Sequence, residues 1–170
     1  MEKRLHYKKG LSAVVTTLVI IALSLVAVGI VWAFVSNFVN KQFEASTSCY
    51  EIYDKITINR EYTCYEKIGE EEYNIIFSLN VGDVDIESIT VSISSEKENK
   101  IYKITNSIQT IEGVTMYPLE ETQIILPDKK ASGSYKATGF TGRIEKIKIA
   151  PTVGKNICDI SDAVEKVGEC

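Results

Sequence analysis

The chain has 170 residues, 45% of them hydrophobic, with 19 Lys and Arg against 23 Asp and Glu for a formal net charge of −4. A mildly acidic chain with no basic patch interleaved with aromatics beyond its first residues is not built to hold nucleic acid. Its single histidine, His6, precedes the long apolar run, so no Ser/His/Asp or Cys/His arrangement can form after it and no enzymatic activity is expected.

Residues 1–10 carry Lys3, Arg4, Lys8 and Lys9 against Glu2, a net +3, and end in Lys8-Lys9-Gly10. From Leu11 to Asn40, thirty positions pass without Asp, Glu, Lys, Arg or His. About 20 helical residues cross a hydrocarbon core of about 30 Å, so this run is long enough to span. Only Ser12, Thr16, Thr17, Ser24 and Gly29 interrupt it, and they form no polar stripe that would let it lie flat on headgroups. Trp32 suits the interfacial level near its far end. A secretory signal peptide has an apolar region of about 7–15 residues followed by a small-residue cleavage site, and neither feature fits here. The basic flank places residues 1–10 in the cytoplasm, and residues 41–170, with 15 basic and 22 acidic side chains, outside. The helix is expected to occupy 11–45, breaking near Ala45-Ser46-Thr47-Ser48, with a single domain over 46–170.

Beyond the break the periodicity changes from helical to alternating. The segments YEIYDKITI (50–58), YNIIFSLNV (73–81), IESITVSIS (86–94), KIYKIT (100–105), TQIILP (122–127), SYKATGF (134–140) and GRIEKIKIAP (142–151) read as half-buried strands. In the last, Ile144, Ile147 and Ile149 face one way and Lys146 and Lys148 the other. Turn signals at Val81-Gly82-Asp83, Glu98-Asn99-Lys100, Pro127-Asp128-Lys129 and Ser132-Gly133 separate them. Asn106–Glu121 fits either an edge strand or an irregular loop. The fold class is therefore α+β: a long amino-terminal helix followed by an antiparallel, immunoglobulin-like β-sandwich head.

Cys49, Cys64, Cys158 and Cys170 all lie in the expected exterior part, and an even number there implies disulfides. Short loops favour Cys49 with Cys64 and Cys158 with Cys170, the alternative being long-range pairing that ties the two ends of the domain together. Their spacings do not match a zinc site, so no metal is expected. Glu70-Glu71-Glu72 reads as a solvated turn, and Asp83 with Asp85 lacks the other ligands of a calcium loop. There is no phosphate-cradling glycine motif, no cofactor is implied, and no Asn-x-Ser/Thr sequon occurs.

The junction KKG followed by LSAVVTTLVIIALSLVAVGIVW resembles the class III signal peptides of archaeal type IV pilins and archaellins. The resemblance covers the chain through about Asn40 and is loose over the head. It implies that a prepilin peptidase cuts after Gly10 on the cytoplasmic side, with Lys8, Lys9, Gly10 and Leu11 as the processing site and Leu11 as the new first residue. It implies further a helix that packs with its own copies or other pilins, and assembly by a pilus ATPase and membrane platform into a cell-surface filament. Small residues Ser12, Ala13, Ala22, Ala27, Gly29 and Ala33 permit close helix contact. Bacterial pilins carry a glutamate where this chain has Val15, and many archaeal pilins begin with glutamine where it has Leu11. The alternative is an uncleaved single-pass protein displaying an immunoglobulin-like binding domain at the cell surface.

Overall fold

The computed structural model describes the backbone of residues 8–50 and 52–170, and the side chains of residues 13–39, 49, 50 and 52–170. The chain divides into two compact units, Met1–Ala45 and Ser46–Cys170.

One helix, α1 (Lys8–Tyr50), makes up the described part of the first unit, and its last residues belong to the second. No proline interrupts it, and at about 1.5 Å per residue its 43 residues extend about 65 Å. Within it Ala13–Val39 is long and apolar enough to cross a membrane. The hydroxyls in that stretch bond back along the helix: Thr17 Oγ1 donates to the Val14 carbonyl at 2.8 Å and Ser24 Oγ to that of Ile20 at 2.6 Å. Such back-bonding satisfies polar groups that hydrocarbon cannot.

The expected break at 45–48 does not occur, since α1 continues to Tyr50. Each Ser or Thr disfavours a helix by only a few tenths of a kcal/mol relative to Ala, too little to end one already propagating. The helix stops where Tyr53 N–H bonds Tyr50 O and Asp54 takes a φ of 65°. The strand expected from Tyr50 therefore begins later, at Ile56.

The described residues of the second unit form ten strands: β1 (Ile56–Lys67), β2 (Glu72–Val81), β3 (Ser88–Ser95), β4 (Asn99–Thr105), β5 (Val114–Met116), β6 (Ala131–Thr141), β7 (Ile144–Val153), β8 (Asn156–Ile157), β9 (Asp162–Val164) and β10 (Gly168–Glu169). They form two sheets, one in the order β10-β1-β2-β6-β5 and the other β4-β3-β7-β8, with β9 also paired to β7. Every pairing is antiparallel except that of β10 with β1.

Alternation explains the core. Ile75, Phe77 and Leu79 of β2, Tyr135 and Ala137 of β6, Ile89, Val91 and Ile93 of β3, and Ile147 and Ile149 of β7 are fully buried in one apolar cluster shared by both sheets. Burying each large apolar side chain contributes about 1.5–3 kcal/mol. Phe77 stacks on Tyr135 with ring centres 5.4 Å apart. Ile144 joins the same core despite standing three residues from Ile147, because a register shift opposite Ser94 and Ser95 absorbs one residue of β7.

A larger irregularity interrupts β1, where Arg60, Glu61, Tyr62 and Thr63 together span one residue of β2. Thr63 repairs the ladder there: its buried hydroxyl donates to Asn59 O at 2.7 Å and accepts Ser78 N–H at 3.4 Å.

Residues 122–127 form no ladder strand, contrary to their alternation. Ile124 makes a single bridge with Gln109, while Leu126 N–H bonds Thr105 O and Ile125 O accepts the Tyr135 hydroxyl. Ile124 and Leu126 are nevertheless buried, which is the apolar pattern the sequence shows. The undecided stretch 106–121 contains the short strand β5 among turns.

Candidate functional site

The sequence places its strongest functional signal on α1. Lys8, Lys9, Gly10 and Leu11 form the helix's first turn, but their side chains, that of Ser12, and residues 1–7 lie outside the described residues.

From residue 13 to 39 every side chain is exposed except the half-exposed Ser36, and Trp32 and Phe34 are among the barest. A 27-residue apolar surface of this kind needs an apolar neighbour, lipid or protein. At 100° per residue, Ala22, Gly29 and Ala33 fall within about 40° of arc, while Ala13 and Ala27 fall on the opposite side with Ser24. The small residues thus form two opposed faces. A Cβ built on Gly29 meets nothing within 4 Å, so that face is open to close approach.

All four cysteines are paired, but not by short loops. Cys49 bonds Cys158 and Cys64 bonds Cys170, across 109 and 106 positions, with Cα atoms 5.4 and 5.0 Å apart. The expected pairs fail for a topological reason: residues 154–170 fold back beside β1 and the end of α1, which brings late cysteines to early ones. Two disulfides and an apolar helix fit an oxidising location next to a membrane.

Of the acidic residues considered as sites, Glu71, Asp83 and Asp85 are taken up in separate ion pairs. Glu71 meets Lys97 at 2.6 Å, Asp83 meets Lys130 at 2.8 Å and Asp85 meets Lys129 at 2.6 Å. The Glu71 carboxyl is held below its ordinary range by the hydrogen bond and charge of Lys97. Among the described residues no group of three His, Cys, Asp or Glu side chains is placed to hold a metal. An open groove of about 420 Å³ lies against the edge strand β4, lined by Lys100, Ile101, Tyr102, Glu112, Gly113 and Thr138. Lys100 is engaged there by Gly139 O and the face of Phe140, and Tyr102 is held protonated above its ordinary range by burial and by Glu98. The Thr138 hydroxyl in the groove donates to Gly113 O at 3.3 Å.

The sequence reading missed one arrangement. Asp162 of β9 is largely buried and accepts Ile58 N–H at 2.9 Å and the Arg60 guanidinium at 2.8 Å. Nothing in local spacing joins positions a hundred residues apart. Comparison with protein-family models, with curated proteins and with solved structures returns no match for this chain.

Proposed function

We propose that the chain is a pilin-like subunit, processed by a prepilin peptidase after Gly10 and assembled through α1 into a cell-surface filament of the type IV kind. In this reading residues 1–10 are cytoplasmic, α1 crosses the membrane before assembly, and the head is an immunoglobulin-like β-sandwich outside the cell. The observation that carries it is the bare apolar surface of Ala13–Val39, with small residues on two opposite faces. A dimer needs one contact face; an open-ended polymer of helices needs at least two. The KKG junction supplies the complementary signal, since processing there keeps the apolar segment with the head. The role is structural and needs no cofactor; its partners are other pilins, the peptidase, and the assembly ATPase and platform.

The test is the amino-terminal sequence or intact mass of the protein recovered from native membranes and from sheared surface material. A chain beginning at Leu11 supports the proposal. A chain that retains residues 1–10 in both fractions rejects it and leaves the second reading, an uncleaved single-pass display protein. The open groove beside β4 favours that reading, because an edge strand next to a groove is a place where extended peptides dock.

A further inference from the structure

Residues 154–170 contain only three short strands, yet they border both sheets. β8 and β9 pair with β7, while β10 pairs with β1 in the other sheet. The backbone follows the outer side of β7: Cys158 N–H donates to Pro151 O at 2.9 Å, Ser161 N–H to Ile149 O at 3.0 Å and Val167 N–H to Glu145 O at 3.3 Å. It then crosses to β1, where Cys170 N–H donates to Tyr65 O at 3.0 Å. Midway, Asp162 takes the Ile58 N–H and the Arg60 guanidinium of β1. The segment therefore closes the gap between β7 and β1 along one side of the head. Both disulfides end on it, Cys158 from Cys49 and Cys170 from Cys64.

Its apolar hold is slight. Apart from Cys158, Val167 is its only fully buried apolar side chain and Val164 packs at the margin of the core. Its ion pairs, Arg60–Asp162 and Lys146–Glu165, each have one partner well exposed. Ordering a segment of this length opposes those few contacts with a large loss of conformational entropy. The core is drawn chiefly from the other elements of the head, and the segment adds only Cys158 and Val167 to it.

We propose that residues 154–170 are an oxidation-gated strap. The two sheets assemble on their own core, and the strap seats along β7 and β1 only once its cysteines are paired. Each closure needs a disulfide oxidant, protein or small molecule. One cysteine thiolate attacks a sulfur of that oxidant, and its partner thiolate then displaces the oxidant from the mixed disulfide. One S–S bond forms in the protein, the oxidant's S–S bond breaks, and two electrons with the two thiol protons leave on the oxidant as a pair of thiols. While the cysteines are reduced, the carbonyls of Glu145, Ile149 and Pro151 lie bare on a sheet edge that can pair with other chains. Oxidation seals that edge.

The experiment is hydrogen exchange on the full chain in detergent micelles, with and without a water-soluble phosphine under native conditions. Full reduction is expected to speed exchange about tenfold or more in peptides covering 156–170 and at Ile58, while peptides around Phe77, Ile89 and Tyr135 keep their protection. A full-length variant with all four cysteines replaced by serine is expected to show the same selective pattern without the phosphine. Unchanged exchange in 156–170 after full reduction overturns the proposal. So does an equal rise across β2, β3 and β6, or a serine variant that does not fold, since the disulfides would then hold the whole head.

Discussion

Arg60 and Asp162 stand 102 positions apart in the chain and meet at 2.8 Å, joining β1 of one sheet to β9 beside the other. The same carboxylate accepts the backbone N–H groups of Ile58 and Ala163, so it serves the backbone more than the ion pair. Asp162→Ala leaves the Ile58 N–H without its acceptor and is expected to cost about 1–3 kcal/mol in urea unfolding of the head. Arg60→Ala, at a guanidinium that is 62% exposed, is expected to cost under about 1 kcal/mol. Equal costs would show that the charge pair dominates.

Thr63 is a hydroxyl standing where a strand would supply a backbone group. Thr63→Val keeps shape and removes both hydrogen bonds that the hydroxyl makes, to Asn59 O and from Ser78 N–H. The expected loss is about 1–3 kcal/mol, whereas Thr63→Ser should retain most of the stability. If valine matches the wild type in thermal melts, the irregularity in β1 does not depend on that side chain.

Tyr135 sets an alkaline limit. Burial pushes its phenol well above the ordinary value, so the folded head holds that proton more tightly than the unfolded chain does. The stability this provides is whole below about pH 10, the unfolded value, and falls as pH rises, by about 1.4 kcal/mol per unit. At neutral pH Tyr135→Phe loses the hydrogen bond to Ile125 O and should cost about 0.5–1.5 kcal/mol. Above about pH 10 the gap between wild type and variant is expected to narrow. A gap that stays constant to pH 11 in denaturant titrations would mean that the phenol ionises equally in both states.

Gly133 has no room for a side chain. A Cβ there would come within 2.7 Å of the Pro127 ring and 3.0 Å of the Tyr135 hydroxyl, neither of which can swing away. Gly133→Ala is expected to destabilise by about 1–3 kcal/mol through overpacking. A melting temperature unchanged from wild type would show that residues 125–127 yield freely.

Peptide mapping without reductant is expected to recover Cys49 joined to Cys158 and Cys64 joined to Cys170. A Cys49–Cys64 peptide would restore the short-loop arrangement and contradict the fold-back of residues 154–170.

Much of the architecture was legible because it rests on periodicity. The uncharged run after Gly10 reads as one apolar helix, and the alternation in β3 and β7 gives their buried faces directly. Legibility fails where backbone partners, rather than side chains, decide. Arg60, Glu61 and Tyr62 interrupt the alternation of β1, so its second half, Thr63–Lys67, was not seen as strand. TQIILP alternates correctly, yet its backbone groups go to three separate partners and no ladder forms. The strands after Val153 are two or three residues long, below any periodic signal. The cysteine pairs follow from that unseen fold-back. The small residues of α1 were identifiable singly, but their division between two faces needed the helical angle at each position.

The bond between Cys49 and Cys158 also determines how the head responds to pulling. Tension arriving through the last turn of α1 would, in a chain without that bond, act on β1 alone, through Ile56. Here it divides at Cys49, one branch following the main chain to β1 and the other passing through sulfur to the residues beside Pro151 of β7. Both sheets are loaded together from neighbouring points.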